Sequence, residues 1–547
     1  MEAILKIRLS LSVIVFLIIM HVPMLIYAST YSINIKATEN LSLETINIYN
    51  DIISQKKDII WGRVVDVNIG ELFLADTLLI ALDNEKAEGV VVYKNAEEGY
   101  LYIHYSSINT DVYLSILDNI INADIRTEST TYKMFSVSEK EAIIAKYEED
   151  YIEEEPKYTE YSKKSDTIDD DLYRSGVPSN TPIIRVLFLY TNAALNLVAS
   201  YPYYAETEMR IVAYNYINNA NESFQNSGIN AHLQLAYIGP TNYDESTQTW
   251  DKALKHFYES GDGYMDNVHT LRNKYAADVC VLFLDKNDYC GEAKAIKANT
   301  NTAFCLVYPT YGCNSKFTAV HEIGHLIGCR HNYEADINLL PYGYGHGYYH
   351  YEAGSPATSW RTMMSYANKC DNDESKCRRI LYWSNHNVYY NGIATGTSTI
   401  AYNARVWNER ANDVSLFRDK PNEITYTATN NNTQALFESI EAVSRITTKT
   451  GFEIQSNQVV EMQASQYIRL LPSTYIKNGA RFKASISTSA DGGNYPQFVQ
   501  RESHISENID LLEKDRISSS ATKILRNGQL FIIRDGKTFT VTGQEVK

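Results

Sequence analysis

The run AVHEIGHLIGCRHN, residues 319–332, holds three histidines and a glutamate at spacings that can do chemistry. Residues four apart share a helix face, so His321 and His325 can aim both imidazoles at one ion. Glu322 lies about 100° further round, outside the first coordination shell but near a water on that ion. Gly328 accepts the left-handed backbone that ends a helix, and a turn there returns His331 to the same ion. Three neutral nitrogens and a water make a tetrahedral zinc site with one open position, as catalytic zinc needs; structural zinc closes the fourth position with another Cys or His. Cys329 is the nearest such residue, and its place on the turn makes joint ligation with all three histidines awkward. The implied chemistry is hydrolysis by an activated water, with Glu322 as general base. A satisfied polar cluster of histidines is the plain alternative, but it does not require the glycine.

Such a helix must be seated. Ala319, Ile323 and Ile327 form a second row that can bury its opposite face, and Ser315 or Thr318 can cap its start. Upstream, TPIIRVLFLYT reads as a buried strand, Glu206 to Ser227 as a helix, and AHLQLAYIG as a strand. A second helix around Val268 to Tyr275 and the strand DVCVLFLD follow. Strands alternating with helices predict an α/β domain over 177–420, with a largely parallel sheet and an active-site helix.

A chain of 547 residues exceeds what one core usually supports, so several domains are expected. Lys6 and Arg8, an apolar run from Leu9 to Met20 and the small Ala28 read as a signal peptide, 1–28, and place the protein outside the cell. Residues 29–146 carry short alternating runs and read as a β-rich domain. The acidic stretch 147–176 reads as a solvated linker between a propeptide and a mature enzyme, with Lys163, Lys164 or Arg174 as cut points. Residues 421–490 read as a β module with a turn at Asn478-Gly479, 491–514 as a linker and 515–547 as a β tail. The net charge of −16 argues against nucleic acid. Seven cysteines between 280 and 377 suggest disulfides in one domain, with Cys280 as the leftover thiol and Cys370–Cys377 as a local loop.

The H-E-x-x-H-x-x-G-x-x-H string followed by WRTMMSYANKC resembles the metzincin metalloendopeptidases. YTNAAL, DYCGEAKA, PYGYGHGY, LYWSN and NARVWNE extend the likeness to the reprolysin-like bacterial branch, over roughly residues 180–420. The chain is similar there to the secreted peptidyl-Asp metalloendopeptidases. The resemblance implies protein or peptide substrates, one catalytic zinc, and a proenzyme whose β-rich prodomain can act as its inhibitor. It makes Met364 the structural floor beneath the metal, in preference to Met363, and Tyr366 a candidate for the oxyanion. Arg361, just before that turn, is a candidate for selecting acidic side chains beside the cut. The substrate should lie along an edge strand near NTAFCLVYP. Asn332 departs from the family, which usually has Asp after the third histidine. No cysteine precedes residue 280, so a prodomain thiolate cannot impose latency. IRLLPSTYIKNGARFKAS resembles a β-stack module of exported Bacteroidota proteins, with Ser473 where that pattern prefers Gly. The tail resembles sorting segments, which implies attachment to the outer surface. The rival from another class is an inactive surface-bound adhesin built on a metzincin-like domain.

Overall fold

Short alternating runs between residues 30 and 147 pair, in the computed structural model of the protein, into one nine-stranded sheet. The structure describes residues 29–147 and 181–486 apart from short gaps, together with strands between 522 and 546; the expected leader, nearly all of the acidic linker and the 491–514 segment lie outside the described residues. Three middle strands of this N-terminal sheet, β1 (Tyr100–Ser106), β2 (Asp111–Leu117) and β3 (Ile120–Arg126), are antiparallel neighbours. Their side chains alternate. Ile103, Leu114 and Ile125 bury one face within the sheet's own core, while Tyr100, Tyr102 and Tyr113 join the core of the next domain. The reading as a β domain omitted two helices, Leu43–Gln55 and the short Ile69–Leu74; the first starts where the Ser42 hydroxyl accepts from the Thr45 backbone N–H.

The central domain begins with β4 (Ile183–Tyr190), apolar on both faces because it lies inside a sheet. The long helix α1 (Ala205–Ser227), β5 (His232–Pro240), β6 (Val279–Phe283), β7 (Gly291–Ala293) and β8 (Phe304–Val307) follow. The strand order is β7-β8-β6-β4-β5, parallel throughout except for β7, which runs antiparallel to β8. The expected edge strand at NTAFCLVYP is therefore an interior one: β8 lies between β6 and β7, and the edge is β7. A three-residue strand with a charged centre, Glu292, leaves no hydropathy trace, whereas the fully buried β8 does.

Helix α2 (Thr318–Ile327) carries the histidine motif and ends at Gly328, whose φ is 127°. Its start differs from expectation. Phe317, at φ 56°, precedes it without a side-chain cap, and the Thr318 hydroxyl donates to the Cys313 carbonyl at 2.7 Å instead of capping. Ser315 lies outside the described residues. Two short strands, β9 (Trp360–Arg361) and β10 (Arg378–Arg379), then pair in parallel, and α3 (Asn403–Val414) closes the domain. A helix at Trp250–Tyr258 was not foreseen.

The C-terminal module is joined to this sheet. β11 (Phe437–Glu441) pairs antiparallel with β5 through Ile238 and Phe437, and Arg185 of β4 forms a buried ion pair with Glu441. β11, β12 (Val459–Ala464) and β13 (Arg481–Ile486) stack in parallel, each partner 22 residues on, as Phe437 faces Val459 and Val459 faces Arg481. The Asn478-Gly479 turn is thus a corner between rungs, not a hairpin. Gly451 and Ser473 are 22 apart and both have positive φ, 68° and 61°, so Ser473 takes the backbone that the pattern reserves for glycine.

Cys290 and Cys313 form a disulfide, and Cys377 is disulfide-bonded while Cys370 lies outside the described residues. Cys280 is free, as expected, but so are Cys305 and Cys329; all three are buried. Among the described residues no helix is long and apolar enough to cross a membrane.

Candidate metal centre

α2 packs on β7 and β8 and is buried along its whole length, so its polar residues are held by protein on every side. His321, His325 and His331 converge, with one ligand atom from each lying within 4.8 Å of the others. The Nε2 of His331 is 3.2 Å from that of His321 and 3.0 Å from that of His325. Two nitrogens bound at about 2.0–2.1 Å to a tetrahedral zinc stand about 3.3 Å apart, so this cluster has the span of a zinc site.

The opposite ring nitrogens fix which atom faces the ion. His321 Nδ1 donates to the Met363 carbonyl at 2.8 Å, and His325 Nδ1 to the Cys329 carbonyl at 2.9 Å. Each bond leaves Nε2 as the lone-pair atom. Three buried lone pairs pointing at one another repel unless a cation lies among them, so the donor set fits zinc. His346 adds a support that sequence reasoning missed: it is fully buried, and its Nδ1 donates to the His331 carbonyl at 2.8 Å. Its place in PYGYGHGY, one of the stretches that carry the family likeness, was the available signal. Cys329 turns its sulfur towards the Asn403 carbonyl at 3.9 Å, away from the cluster.

Glu322 is fully buried beside the edge strand. A Cβ built on Gly291 of β7 would come within 2.6 Å of Glu322 Oε1, so only glycine lets the strand lie this close to the carboxylate. Gly291 carried no sequence signal beyond DYCGEAKA. On the far side of α2, a Cβ at Gly324 would meet Met364 Sδ and Trp383 at 2.7 Å. Met364 therefore lies directly against the helix between His321 and His325, and Met363 contributes through its carbonyl.

Tyr366 stacks on His331, with ring centres 4.0 Å apart and 27° between planes. Its backbone N–H donates to Asn332 Oδ1 at 3.0 Å, and Asn332 Nδ2 donates to Glu334 Oε2 at 3.1 Å. Asn332 thus ties the third histidine to the turn by its carbonyl, while its amide meets a carboxylate that an aspartate would repel. Arg361 is 6% exposed and donates to the carbonyls of Ser365 at 2.7 Å and Cys377 at 3.3 Å. It braces the turn from behind. Arg379 does so too, linking the carbonyls of Ser365 (3.1 Å) and Lys316 (2.6 Å).

Comparison with known proteins places the domain that carries this centre. Residues 181–376 match the model of metallo-peptidase family M12. A peptidyl-Asp metalloendopeptidase of Stenotrophomonas maltophilia is 35% identical over 54% of this chain and 68% of its own. One from Xanthomonas campestris is 38% identical over 45% and 53%. Among solved structures, metalloproteinase-II from Bacteroides fragilis covers 47% of this chain and 81% of its own at 9% identity, with a TM-score of 0.31, too remote to carry an argument.

Proposed function

This chain belongs to metallo-peptidase family M12 and is a zinc metalloendopeptidase, and from that premise we propose that His321, His325 and His331 hold the zinc while Glu322 serves as general base. The observation that carries this assignment is the convergence of three Nε2 atoms, with the His321 and His325 rings held from behind by carbonyls and the His331 ring stacked on Tyr366.

Bound zinc would supply Lewis-acid chemistry, acidifying a water and polarising the scissile carbonyl. Glu322 takes the proton from the attacking water and returns it to the leaving amine. Its burial under Gly291 keeps the carboxylate aimed and excludes bulk solvent. The substrate lies along the open edge of β7 as an added strand, bringing its carbonyl past Glu322. Tyr366, fixed by its stacking on His331 and its bond to Asn332, offers its phenol to the developing oxyanion.

The N-terminal domain (29–146) acts as a prodomain, released after cleavage in the linker. Its packing against the residue that starts α2 supports this reading. The disulfide supports an extracellular site of action after removal of residues 1–28, and the tail 515–547 is the segment through which surface attachment would occur. That the relatives are peptidyl-Asp metalloendopeptidases supports a preference for acidic residues beside the cut, while Arg361, taken up by backbone carbonyls, acts there only through the turn that it braces. The reading is tested with Glu322→Ala: zinc content and melting temperature stay as in wild type, while casein cleavage by the linker-processed chain falls by about 10²–10⁴-fold. Retained cleavage sinks the assignment. A wild type that binds zinc yet cleaves nothing leaves the adhesin reading.

A further inference from the structure

The face that the N-terminal sheet turns to the central domain is not a plain apolar seam. Tyr113 of β2 meets Phe317 edge-on at 5.5 Å, and the Arg126 guanidinium lies 4.4 Å over the same ring. Phe317 immediately precedes α2, and its carbonyl accepts from the His321 N–H at 3.1 Å. One helical turn therefore separates this contact from the first metal-facing histidine. Asp111, two residues before Tyr113 and on the same face of β2, is 5% exposed. Its Oδ2 is 3.1 Å from Arg378 Nη1, while Oδ1 takes hydrogen bonds from Ser106 Oγ at 2.7 Å and His104 Nε2 at 3.2 Å. Arg378 also donates to the Tyr390 hydroxyl at 2.8 Å.

The place of Arg378 in the fold gives this pair its meaning. It lies on β10, paired in register with the strand that leads into the methionine turn. Its neighbour Arg379 ties that turn, through Ser365 O, to Lys316 O at the start of α2. The carboxylate of Asp111 thus enters where the turn and the beginning of the helix come together, carried there by a domain that leaves on maturation. A buried ion pair across a removable interface leaves one partner uncompensated when the other departs. When the sheet leaves, Arg378 is that partner, and it sits at the wall beside the zinc helix.

We propose that Arg378 is the cation that receives an acidic substrate side chain in the processed enzyme, and that Asp111 occupies its place in the uncut chain as an internal stand-in. This rests on the endopeptidase reading above. It assigns acid selection to Arg378, whereas Arg361 is held by backbone carbonyls. It also provides latency that uses a carboxylate where no prodomain cysteine exists.

The test uses the full chain, before and after tryptic processing of the linker, with two quenched fluorescent peptides that differ only in Asp or Asn after the cut. Processed wild type should favour the Asp peptide by about 10–100-fold in kcat/KM, and Arg378→Gln should bring that ratio to about 1. Asp111→Asn should raise cleavage of the Asp peptide by the unprocessed chain about tenfold. The exchange of charges, Asp111→Arg with Arg378→Glu, should restore latency and turn the processed enzyme towards a Lys peptide. An Arg378→Gln ratio within about twofold of wild type overturns the proposal. So does equal cleavage of both peptides by wild type, although the endopeptidase reading then stands; cleavage of neither peptide defeats that reading itself. If Arg378→Gln does not fold, by circular dichroism and zinc content, the charge exchange decides, and failure to invert the preference overturns the proposal.

Discussion

A cluster of three buried histidines and a single buried one, His104, lie on either side of Phe317 and use the same side chain in opposite ways. In α2 the rings donate backwards to the Met363 and Cys329 carbonyls and turn their other nitrogens towards one another. In the N-terminal sheet, His104 gives one nitrogen to Glu222 and the other to Asp111, so both sides of the ring meet carboxylates. Burial pulls the His104 pKa down, but Glu222 and Asp111 outweigh it and raise it to about 9. Burial, helped by the charge of Arg330, outweighs the His331 carbonyl and Asp336 and pulls His346, behind the metal cluster, below its ordinary value. A buried histidine that faces carbonyls stays neutral and keeps a lone pair for a metal, whereas one that faces carboxylates becomes a cation within an ion network. Partner chemistry separates the two roles.

That contrast can be broken from either side. His325→Ala should have the largest effect: bound zinc and peptide cleavage disappear together, with activity down on the order of 10⁴-fold or more, read by metal analysis and turnover. His104→Gln should act on docking instead. It leaves Glu222 buried without its cation and Asp111 with Arg378 alone, costs about 3–5 kcal/mol of interface stability, and speeds proteolysis of the N-terminal domain while zinc content holds. Loss of zinc in that variant would erase the distinction.

A smaller effect follows from pH. The folded pKa of His104 lies above the unfolded value of about 6.5, so its contribution is full below that value and is lost as pH rises through about 9. Burial raises the Asp111 pKa but Arg378 and His104 hold it below the usual range, so its share is present above about pH 4 and is lost on acidification. Melting temperature should fall between pH 7 and about 10 in wild type and much less in His104→Gln; parallel curves would remove His104 from the interface. The smallest effect is expected for Asn332→Asp, which keeps the acceptor for Tyr366 but faces Glu334, at a cost of about 1 kcal/mol. Adding Glu334→Gln should recover it in a urea melt.

Much of this was legible along the chain wherever the cause is local. β4 and α1 follow from a doubly apolar run and a helical period, and the end of α2 from Gly328. The edge strand was misplaced because apolar runs report burial, and an edge as short as β7 buries little. The Asn478-Gly479 turn was legible but its place as a corner between rungs was not, because turn chemistry is the same when the partner strand lies 22 residues away. The convergence of the three histidines was legible because their types and spacing carry it, whereas Gly291, Gly324 and His346 matter through what they touch. Thr318 failed as a cap for a similar reason, since its hydroxyl is taken by Cys313.

The sequence by itself determined how His321, Glu322 and His325 are set relative to one another, and so which roles are proposed for them, since helix geometry fixes their spacing whatever surrounds them. Only the tertiary structure decided which nitrogen of each ring faces inward, because the carbonyl that holds His321 comes from 42 residues away. It alone decided that Asn332 joins Tyr366 to Glu334 and that Asp111 meets Arg378. Both outcomes depend on through-space partners, and buried charge is governed by what lies next to it in the fold.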